Sequence, residues 1–398
     1  MPETTTLAVR CGRLYDGSGS APRSNVTVIV ENGTITRIVA SDAQTGADRT
    51  LEAAAVTPGL INAHVHLEVS GEPDTGVIVL ATPIAKTLAA VANARRSLAA
   101  GVTTVRDLGA GGSTAIELRD AIAKGLVTGP TIVPAGRALT MTGGHGFFLG
   151  SRETDGPWDA RKAVREQLKA GAECIKLIAT GGVLTKGAVP GQDQLTQEEM
   201  QAASVEAHTH GLRVAAHAIG THGIKNALRA GVDSIEHGHL LDTEAIELFL
   251  EHRAVLVPTL SAPARIREHS ADGKQPDFVI RKATALYDAM RENITRAYRA
   301  GVPIAGGSDA GTPYNEHDDY AYEVELMHTL LGMSPVAALR AATQTAGQLL
   351  GVNAGTLEPG RPADLLLLDG DLEENTHALR APLFVIKTGA VVASRDGR

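Results

Sequence analysis

The feature that most constrains the fold of this chain is a unit that recurs from about Thr57 onward. In each unit a helical pattern ends at glycine and a short apolar strand follows, as in AAGVTTVRDLG, KAGAECIKLIATGG, HGLRVAAHAIG, RAGVDSIEHG and RAGVPIAGGSD. Glycine after a helix adopts the left-handed conformation that turns the chain into the next strand. The recurrence therefore predicts parallel strands that alternate with helices.

Eight strands can be assigned in this region: LINAHVH, VTTVRDL, TIVPAGRAL, CIKLIAT, RVAAHAI, SIEHGHL, VLVPTL and PIAGGSD. They are continuous apolar runs, which indicates strands that are buried on both faces. Eight such units predict an α/β protein with a (β/α)8 TIM barrel over residues 57–348. The functional site of such a barrel lies at the carboxyl ends of its strands.

The two ends of the chain have a different pattern. Residues 1–56 alternate between apolar and polar side chains, and Asn32-Gly33 lies between two alternating runs. Asn-Gly in that position predicts a hairpin turn. Residues 349–398 return to alternating strands and turns, so we expect them to complete a small β-sheet begun by residues 1–56.

Composition excludes several classes of partner. The formal net charge is −8 and there are no runs of Lys or Arg, so nothing predicts binding to nucleic acid or to an anionic membrane. The two cysteines form no disulfide framework. We see no signal peptide and no membrane-spanning run. We therefore expect a cytoplasmic enzyme, a homo-oligomer, that acts on a small molecule.

Polar residues that can bind metals lie at or near the strand ends. His64 and His66, in PGLINAHVHLE, point to one face because alternate residues of a strand share a side. Imidazole is a common metal ligand. Four further candidates follow at later strand ends: Lys176, His217, His237 and Asp309. Each alone has a plainer explanation, such as a solvated lysine, a backbone-bonded histidine or a helix cap, but their recurrence favours one shared site.

The loops after the third, fourth and seventh strands are long and rich in Gly, Pro and polar residues. Such loops carry function more often than short ones, so we expect them to set substrate specificity. His145, in the sequence GGHG of the first of these loops, is a candidate substrate contact. A surface histidine without a function is the alternative.

The motifs HVH, IKL, AAHA, EHG and GSDAG on the first, fourth, fifth, sixth and eighth strands resemble those of the metal-dependent amidohydrolase superfamily. The resemblance covers essentially the whole chain and implies a β-sandwich domain built from both termini. TGGHG at 142–146 and GMSPVAALRAATQTAGQLLG at 332–351 resemble the branch of Xaa-Pro dipeptidases (prolidases) and related carboxypeptidases.

This resemblance implies a binuclear metal centre and a hydrolase that attacks an amide bond with a metal-bridged hydroxide. Lys176 would be carboxylated on its side-chain nitrogen and would bridge the metals, and Asp309 would also transfer the proton to the leaving nitrogen. Nitrogen and oxygen ligands suit Zn²⁺ and leave Mn²⁺ and Co²⁺ open. The implied metal ligands are His64, His66, Lys176, His217, His237 and Asp309.

The substrate is less constrained. We assign substrate contacts to His145, Ile219 and His317. Dipeptidases of this branch commonly have a carboxylate-binding tyrosine two residues after the metal-binding histidine of the fifth strand, where this chain has Ile219. Two readings of the substrate therefore stay open: a dipeptide or N-acyl amino acid, and a nonpeptide amide, cyclic amide, aryl amide, urea or carbamate. A noncatalytic binding protein with this fold is the third reading of the chain.

Overall fold

The computed structural model describes residues 6–74, 76–109 and 111–395. Within these ranges the chain is a mixed α/β protein whose strands form three sheets. Of the terminal segments predicted to form one sheet, residues 1–5 and 396–398 lie outside the described residues. The strands are β1 Thr6–Leu14, β2 Arg23–Glu31, β3 Thr34–Ala40, β4 Arg49–Pro58, β5 Leu60–Val65, β6 Val102–Asp107, β7 Thr131–Pro134, β8 Leu139–Thr140, β9 Arg152–Glu153, β10 Cys174–Ile178, β11 Arg213–Ala218, β12 Ser234–His237, β13 Val255–Val257, β14 Leu365–Leu368, β15 Phe384–Lys387 and β16 Ala390–Ser394.

Helices separate most of the parallel strands. They are α1 Gly76–Leu80, α2 Pro83–Ala99, α3 Thr114–Ala123, α4 Pro157–Ala170, α5 Gln197–Thr209, α6 Thr221–Arg229, α7 Thr243–His252, α8 Ser261–Glu268, α9 Asp277–Arg299, α10 Tyr320–Thr329, α11 Pro335–Arg340 and α12 Ala346–Leu350. A π-helical turn joins α11 to α12. Within the described ranges, none of these helices is both long and apolar enough to cross a membrane.

One sheet joins the two ends of the chain. Its strands lie in the order β16-β15-β14-β4-β1-β2-β3. Asn32 and Gly33 turn the chain between β2 and β3 with φ values of 50° and 78°, and positive φ at both positions is what a two-residue hairpin turn of this type requires. The hairpin predicted at Asn32-Gly33 is confirmed.

Strand β14 separates two apolar cores. Leu366 and Leu368 belong to the core that surrounds the parallel strands, whereas Leu365 and Leu367 belong to the core of the terminal sheet. All four side chains are fully buried. Because successive side chains of a strand point to opposite faces, this one strand packs against both cores.

The other two sheets are parallel. The first contains β5, β6 and β7, and the second has the order β13-β12-β11-β10-β8-β9. The amide of Glu173 donates to the carbonyl of Pro134 at 2.8 Å and so links β7 to the start of β10. Seven of the predicted strands are present as β5, β6, β7, β10, β11, β12 and β13.

The eighth predicted strand, PIAGGSD, is instead a segment without regular strand structure. Its partners change along its length. The amide of Leu256 donates to the carbonyl of Pro303 at 2.9 Å, and the amide of Ala63 donates to that of Gly306 at 3.0 Å. The segment therefore bonds to β13 first and to β5 afterwards. A φ of 58° at Asp309 ends its extended geometry.

Two of the predicted loops contain structure of their own. In the loop after the third strand, β8 pairs with β9, and the loop after the seventh strand begins with α8. The carboxylate of Glu323 accepts hydrogen bonds from the amides of Leu260 and Ser261, at 2.9 and 2.7 Å. These bonds satisfy amides at the start of α8, which otherwise have no partner inside the helix.

Candidate active site

The polar residues predicted at successive strand ends line one cavity. They come from β5, β10, β11, β12 and the segment after β13, and His66 directly follows β5. Parallel strands bring their carboxyl ends to one edge of a sheet, where side chains distant in sequence can meet. The six residues that the structure brings together in this way are His64, His66, Lys176, His217, His237 and Asp309.

His64, His66 and Asp309 form the most compact group. One carboxylate oxygen of Asp309 lies 3.3 Å from His64 Nε2 and 3.2 Å from His66 Nε2. The other ring nitrogens are engaged, since His64 Nδ1 lies 2.9 Å from the carboxylate of Glu236 and His66 Nδ1 lies 3.1 Å from the carbonyl of Gly109. These oxygens only accept hydrogen bonds, so a neutral ring here has its proton on Nδ1 and a lone pair on Nε2.

Two lone pairs that face a carboxylate need a proton or a cation between them. Burial lowers the pKa of His66, but the hydrogen bond and charge of Asp309 outweigh burial and raise this pKa above its usual value. A divalent cation can take the place of that proton. Ligand atoms of His64, His66 and Asp309 all lie within 4.8 Å of one another, and two imidazoles with one carboxylate are a donor set that fits a divalent metal.

Lys176, His217 and His237 lie beside this group. The rings of His217 and His237 have centroids 4.5 Å apart. Lys176 Nζ and His217 Nε2 are buried without a hydrogen-bond partner among the described residues. Burial lowers the pKa of Lys176 to about 8. Buried polar atoms rarely lack a partner, so these two nitrogens indicate a place for a ligand.

Glu236 connects His64 to a buried arginine. Its carboxylate accepts hydrogen bonds from Arg106 Nη2 at 2.9 Å and from Ser234 Oγ at 2.6 Å. Burial alone would raise the pKa of Glu236, but the charge of Arg106 and the hydrogen bond from His64 outweigh it and lower the pKa to about 2. A carboxylate that stays ionised against Nδ1 fixes the orientation of an imidazole and makes it a better ligand.

Two residues of the cavity have an uncommon backbone conformation. His237 has a φ of 74° and Asp309 a φ of 58°, which costs a residue other than glycine about 1 to 3 kcal/mol. Surrounding side chains hold both in place. Thr259 Oγ1 hydrogen-bonds with His237 Nδ1 at 2.8 Å, and Asn315 Nδ2 donates to the carbonyl of Asp309 at 3.0 Å. Strain of this kind is concentrated at functional sites.

His145 reaches the cavity from the loop after the third strand. Its Nδ1 lies 2.6 Å from Thr185 Oγ1, and its amide donates to Gln194 Oε1 at 2.8 Å. Lys282 of α9 donates to the carbonyl of Thr185 at 2.8 Å. The His145 ring lies beside His217, with centroids 4.6 Å apart, and burial lowers its pKa to about 4. His145 is therefore neutral at pH 7 and offers a hydrogen bond rather than a charge.

The other two predicted substrate contacts have different positions. Ile219 lines the cavity, as predicted. His317 is buried but is not among the lining residues, and its Nε2 donates to the carbonyl of Val69 at 2.8 Å. Of the three predicted contacts, His145 and Ile219 therefore line the cavity. His317 does not, and it hydrogen-bonds with a backbone carbonyl instead.

Three residues at the site are absent from the sequence-based prediction. His239 lines the cavity. Glu236 contacts His64 Nδ1, and Arg106 forms an ion pair with Glu236. Arg106 and Glu236 could have been found as charged residues inside apolar strands, which is costly unless they are paired. His239 follows His237 by two residues in the predicted strand SIEHGHL, so strand periodicity could have placed both side chains on one face, although β12 itself ends at His237.

Comparison with known proteins agrees with this geometry. The model of the amidohydrolase family matches residues 55–394. Ochratoxinase from Aspergillus niger is 29% identical over 423 aligned residues, which cover 96% of this chain and 84% of that protein. The crystal structure of a Xaa-Pro dipeptidase with methionine bound in its active site superposes with a TM-score of 0.91 and 32% identity, over 97% of this chain and 99% of that one.

A second solved structure, also of a prolidase, is similar to this chain over almost its whole length. A prolidase complexed with N-methylphosphonate-L-proline has a TM-score of 0.90 and 29% identity, over 98% of this chain and 100% of that one. The predicted resemblance to the prolidase-like branch of the superfamily is confirmed. This chain belongs to the amidohydrolase family and is a hydrolase of C–N bonds.

Proposed function

We propose that this enzyme hydrolyses the amide bond of a dipeptide or an N-acyl amino acid whose side groups are apolar. The observation that carries the proposal is an apolar wall around the polar cluster. Such a wall excludes water and binds apolar groups, while the few polar atoms orient the scissile bond. The apolar residues of the wall include Val69, Leu108, Phe148, Leu149, Val183, Leu184, Ile219, Pro263 and Ile266.

We also propose that the parallel strands form one closed (β/α)8 barrel over residues 57–348. Two connections between the parallel sheets support closure: the hydrogen bond from the amide of Glu173 to the carbonyl of Pro134, which links β10 to β7, and the bonds of the segment after β13 to β13 and β5. Residues 1–56 and 349–398 would then form a composite β-sandwich domain, for which the shared sheet of β1–β4 and β14–β16 is the support.

The residues of the cavity suit two divalent ions, and Zn²⁺ fits their nitrogen and oxygen donors best. We assign one ion to His64, His66 and Asp309 and the other to His217 and His237. Bound ions of this kind lower the pKa of water and polarise a carbonyl group. Lys176 would bridge the two ions only as a carbamate, because an ammonium group would be repelled by two dications.

Asp309 has a second role in this proposal. Its carboxylate would accept a proton from the attacking water and deliver it to the leaving nitrogen, as a general base and then a general acid. His145, held through Nδ1 by Thr185, would direct Nε2 at the substrate carbonyl or carboxylate. His145 would thus orient the amide, and Asp309 would transfer the proton of the attacking water to the leaving nitrogen.

A specific observation favours the second reading, a nonpeptide amide or carbamate. Among the described residues of the cavity wall, Lys176 is the single lysine and arginine is absent. A substrate carboxylate would therefore lack the guanidinium or ammonium partner that usually binds it. Ile219 adds no polar contact.

The test is a matched pair of substrates on the zinc-loaded enzyme: an N-acyl-L-proline and the corresponding N-acylpyrrolidine, which lacks the carboxylate. For the first reading we expect the wild type to prefer the acyl proline. His145→Ala should raise KM for that substrate about 10- to 100-fold, the worth of one charge-assisted hydrogen bond, and Ile219→Tyr should increase the preference. His208→Ala, on an exposed part of α5, is the control.

The opposite result supports the second reading. If the wild type prefers the pyrrolidine amide and His145→Ala changes neither kcat/KM, a nonpeptide amide is the better assignment. If the zinc-loaded enzyme hydrolyses neither compound and no aryl amide or carbamate, the proposed function fails.

A further inference from the structure

We infer that His239 forms a second polar subsite in the cavity, one that binds a neutral hydrogen-bonding group of the substrate such as a hydroxyl. The inference rests on the proposed function for the identity of the substrate. It concerns a residue to which the metal site assigns no role.

The first observation is the state of the His239 ring. It is 3% exposed, and neither Nδ1 nor Nε2 has a hydrogen-bond partner among the described residues. A buried polar atom without a partner destabilises the fold, and here two such atoms are on one side chain. The His239 side chain lines the same cavity as the candidate metal ligands. A ligand in that cavity can provide a partner that no group of the described residues provides.

The second observation is that His239 is held rigidly. The amide of Gly238 donates to the carbonyl of Ala218 at 3.0 Å, and the amide of Leu240 donates to that of Ile219 at 3.0 Å. The bonds flank His239 on both sides and place it next to Ile219. In addition, Asn293 of α9 donates to the carbonyl of His239 at 3.0 Å. A fixed backbone is what a specific hydrogen-bonding site requires.

The chemistry of the ring defines the ligand. A neutral imidazole has one N–H donor and one acceptor nitrogen, and no cationic residue other than Lys176 lines the cavity among the described residues. A hydroxyl can bond to whichever ring nitrogen faces the ligand, because it accepts from an N–H and donates to a lone pair, whereas a carboxylate can only accept. The His239 ring lies against the ring of His237, with centroids 5.7 Å apart, so a bound hydroxyl would sit close to the reacting amide.

A further buried histidine provides a matched comparison. His317 is 1% exposed and its Nδ1 lacks a partner among the described residues, but it is outside the cavity wall and its Nε2 is bonded to Val69. Substitution of His317 thus tests the effect of removing a buried imidazole without touching the proposed subsite.

The experiment uses uncleavable sulfonamides, so that binding is read without hydrolysis. Two matched pairs are titrated by calorimetry into the zinc-loaded enzyme: N-(phenylsulfonyl)prolinol with N-(phenylsulfonyl)pyrrolidine, and N-(4-hydroxyphenylsulfonyl)pyrrolidine with the same unsubstituted compound. We expect the hydroxyl to tighten binding about tenfold in one pair, the worth of one neutral hydrogen bond. His239→Ala should reduce that ratio to within about twofold, and His239→Gln, which keeps a donor and an acceptor, should restore most of it.

Controls separate this role from others. His317→Gln should leave the ratio unchanged, and His239→Ala should keep the zinc content of the wild type. The inference is overturned if neither hydroxyl improves binding to the wild type, if His239→Ala weakens both members of a pair equally, or if it loses zinc. Hydrolysis of the acyl proline pair is measured separately, so failure of the proposed function and failure of the subsite give different results.

Discussion

Lys176 illustrates how burial changes the chemistry of one side chain. An exposed lysine is a hydrated cation, but Lys176 is almost fully buried, its Nζ has no hydrogen-bond partner among the described residues, and its pKa is lowered to about 8. An appreciable fraction of such an amine is neutral near pH 7. In the function proposed above, the neutral amine would react with carbon dioxide, and the resulting carbamate would be an anion where an ammonium group would repel metals.

Removal of this side chain should therefore affect metal binding before anything else. We expect the purified wild type to contain about two divalent ions per chain, and Lys176→Ala to lose both metal and activity. Short-chain carboxylic acids should restore part of the activity because they can occupy the place of the carbamate. Metal content is measured by mass spectrometry, with Lys169→Ala on the exposed face of α4 as control. Full activity in Lys176→Ala would contradict the bridging role.

The sequence identifies residues that carry the chemistry better than residues that support them. The candidate ligands were visible because they recur at successive strand ends. Glu236 precedes one of these ligands in the same strand, but its role depends on Arg106, which lies 130 positions away in the sequence. Which buried charges form a pair depends on how distant strands pack together. A single sequence does not show that packing. His317 shows the converse, since a plausible imidazole proved to bind backbone.

At the scale of elements, the loops around the cavity are fastened to one another. Thr185, in the loop after β10, hydrogen-bonds with His145 and accepts from the amide of Gly146 at 3.2 Å. Lys282 of α9 then donates to the carbonyl of Thr185. Because Thr185 accepts from Gly146, its hydroxyl proton is free to point at His145 Nδ1, which favours a proton on the cavity-facing Nε2. The loops thus hold the position of His145 through its backbone amide and its Nδ1.

Substitution of Thr185 tests this arrangement, because valine has the shape of threonine without its hydroxyl. Thr185→Val should leave metal content near that of the wild type, lower thermal stability because the buried amide of Gly146 loses its acceptor, and lower kcat/KM about tenfold through a His145 ring that is no longer fixed. Thr185→Ser retains the hydroxyl and should recover most of the activity. Equal activity of the valine and serine variants would show that Thr185 does not position His145.

Elements with strong patterns were predictable, and those defined by tertiary contacts were not. The apolar runs of β10, β11 and β12 and the Asn32-Gly33 turn depend on local chemistry. The segment at 303–309 divides its bonds between β13 and β5, and α8 begins where the buried Glu323 accepts its first amides. Both outcomes depend on partners far away in the chain, so local sequence alone predicted a strand in one case and a loop in the other.

The whole molecule contains an unusual number of buried, neutral histidines. Burial lowers the pKa of each below the ordinary 6.5. As the pH falls, each of these histidines therefore binds a proton in the unfolded chain before it does so in the folded protein. Each group then destabilises the folded state progressively from about pH 6.5 to its own folded pKa. Groups with a raised pKa act in the opposite direction: burial raises the pKa of Glu323 to about 7 and also raises that of Asp107, and Asp309 outweighs burial to raise that of His66. The histidines with a lowered pKa outnumber these three groups: His64, His145, His217, His237, His239 and His317.

The free energy of unfolding of the metal-free protein should therefore fall steeply between pH 7 and pH 5. A histidine whose pKa is about 4 when folded contributes a loss of about 1 to 2 kcal/mol at pH 5. Urea denaturation at several pH values measures the slope of the unfolding free energy against pH, which gives the number of protons taken up on unfolding. His317→Gln should reduce that number by up to one. A stability that does not change over this range would mean that the buried histidines keep ordinary pKa values in the folded protein.

Strand β14 also has a consequence for how the chain is made. A ribosome releases β4 long before β14, because β4 ends at Pro58 and β14 begins at Leu365. Until then one edge of β4 has no partner, and the leucines that fill both cores are missing. An unpaired edge beside apolar surface readily associates with other chains. A nascent chain that stops short of Leu365 should therefore accumulate as aggregate rather than as active enzyme, although it already contains all the candidate site residues.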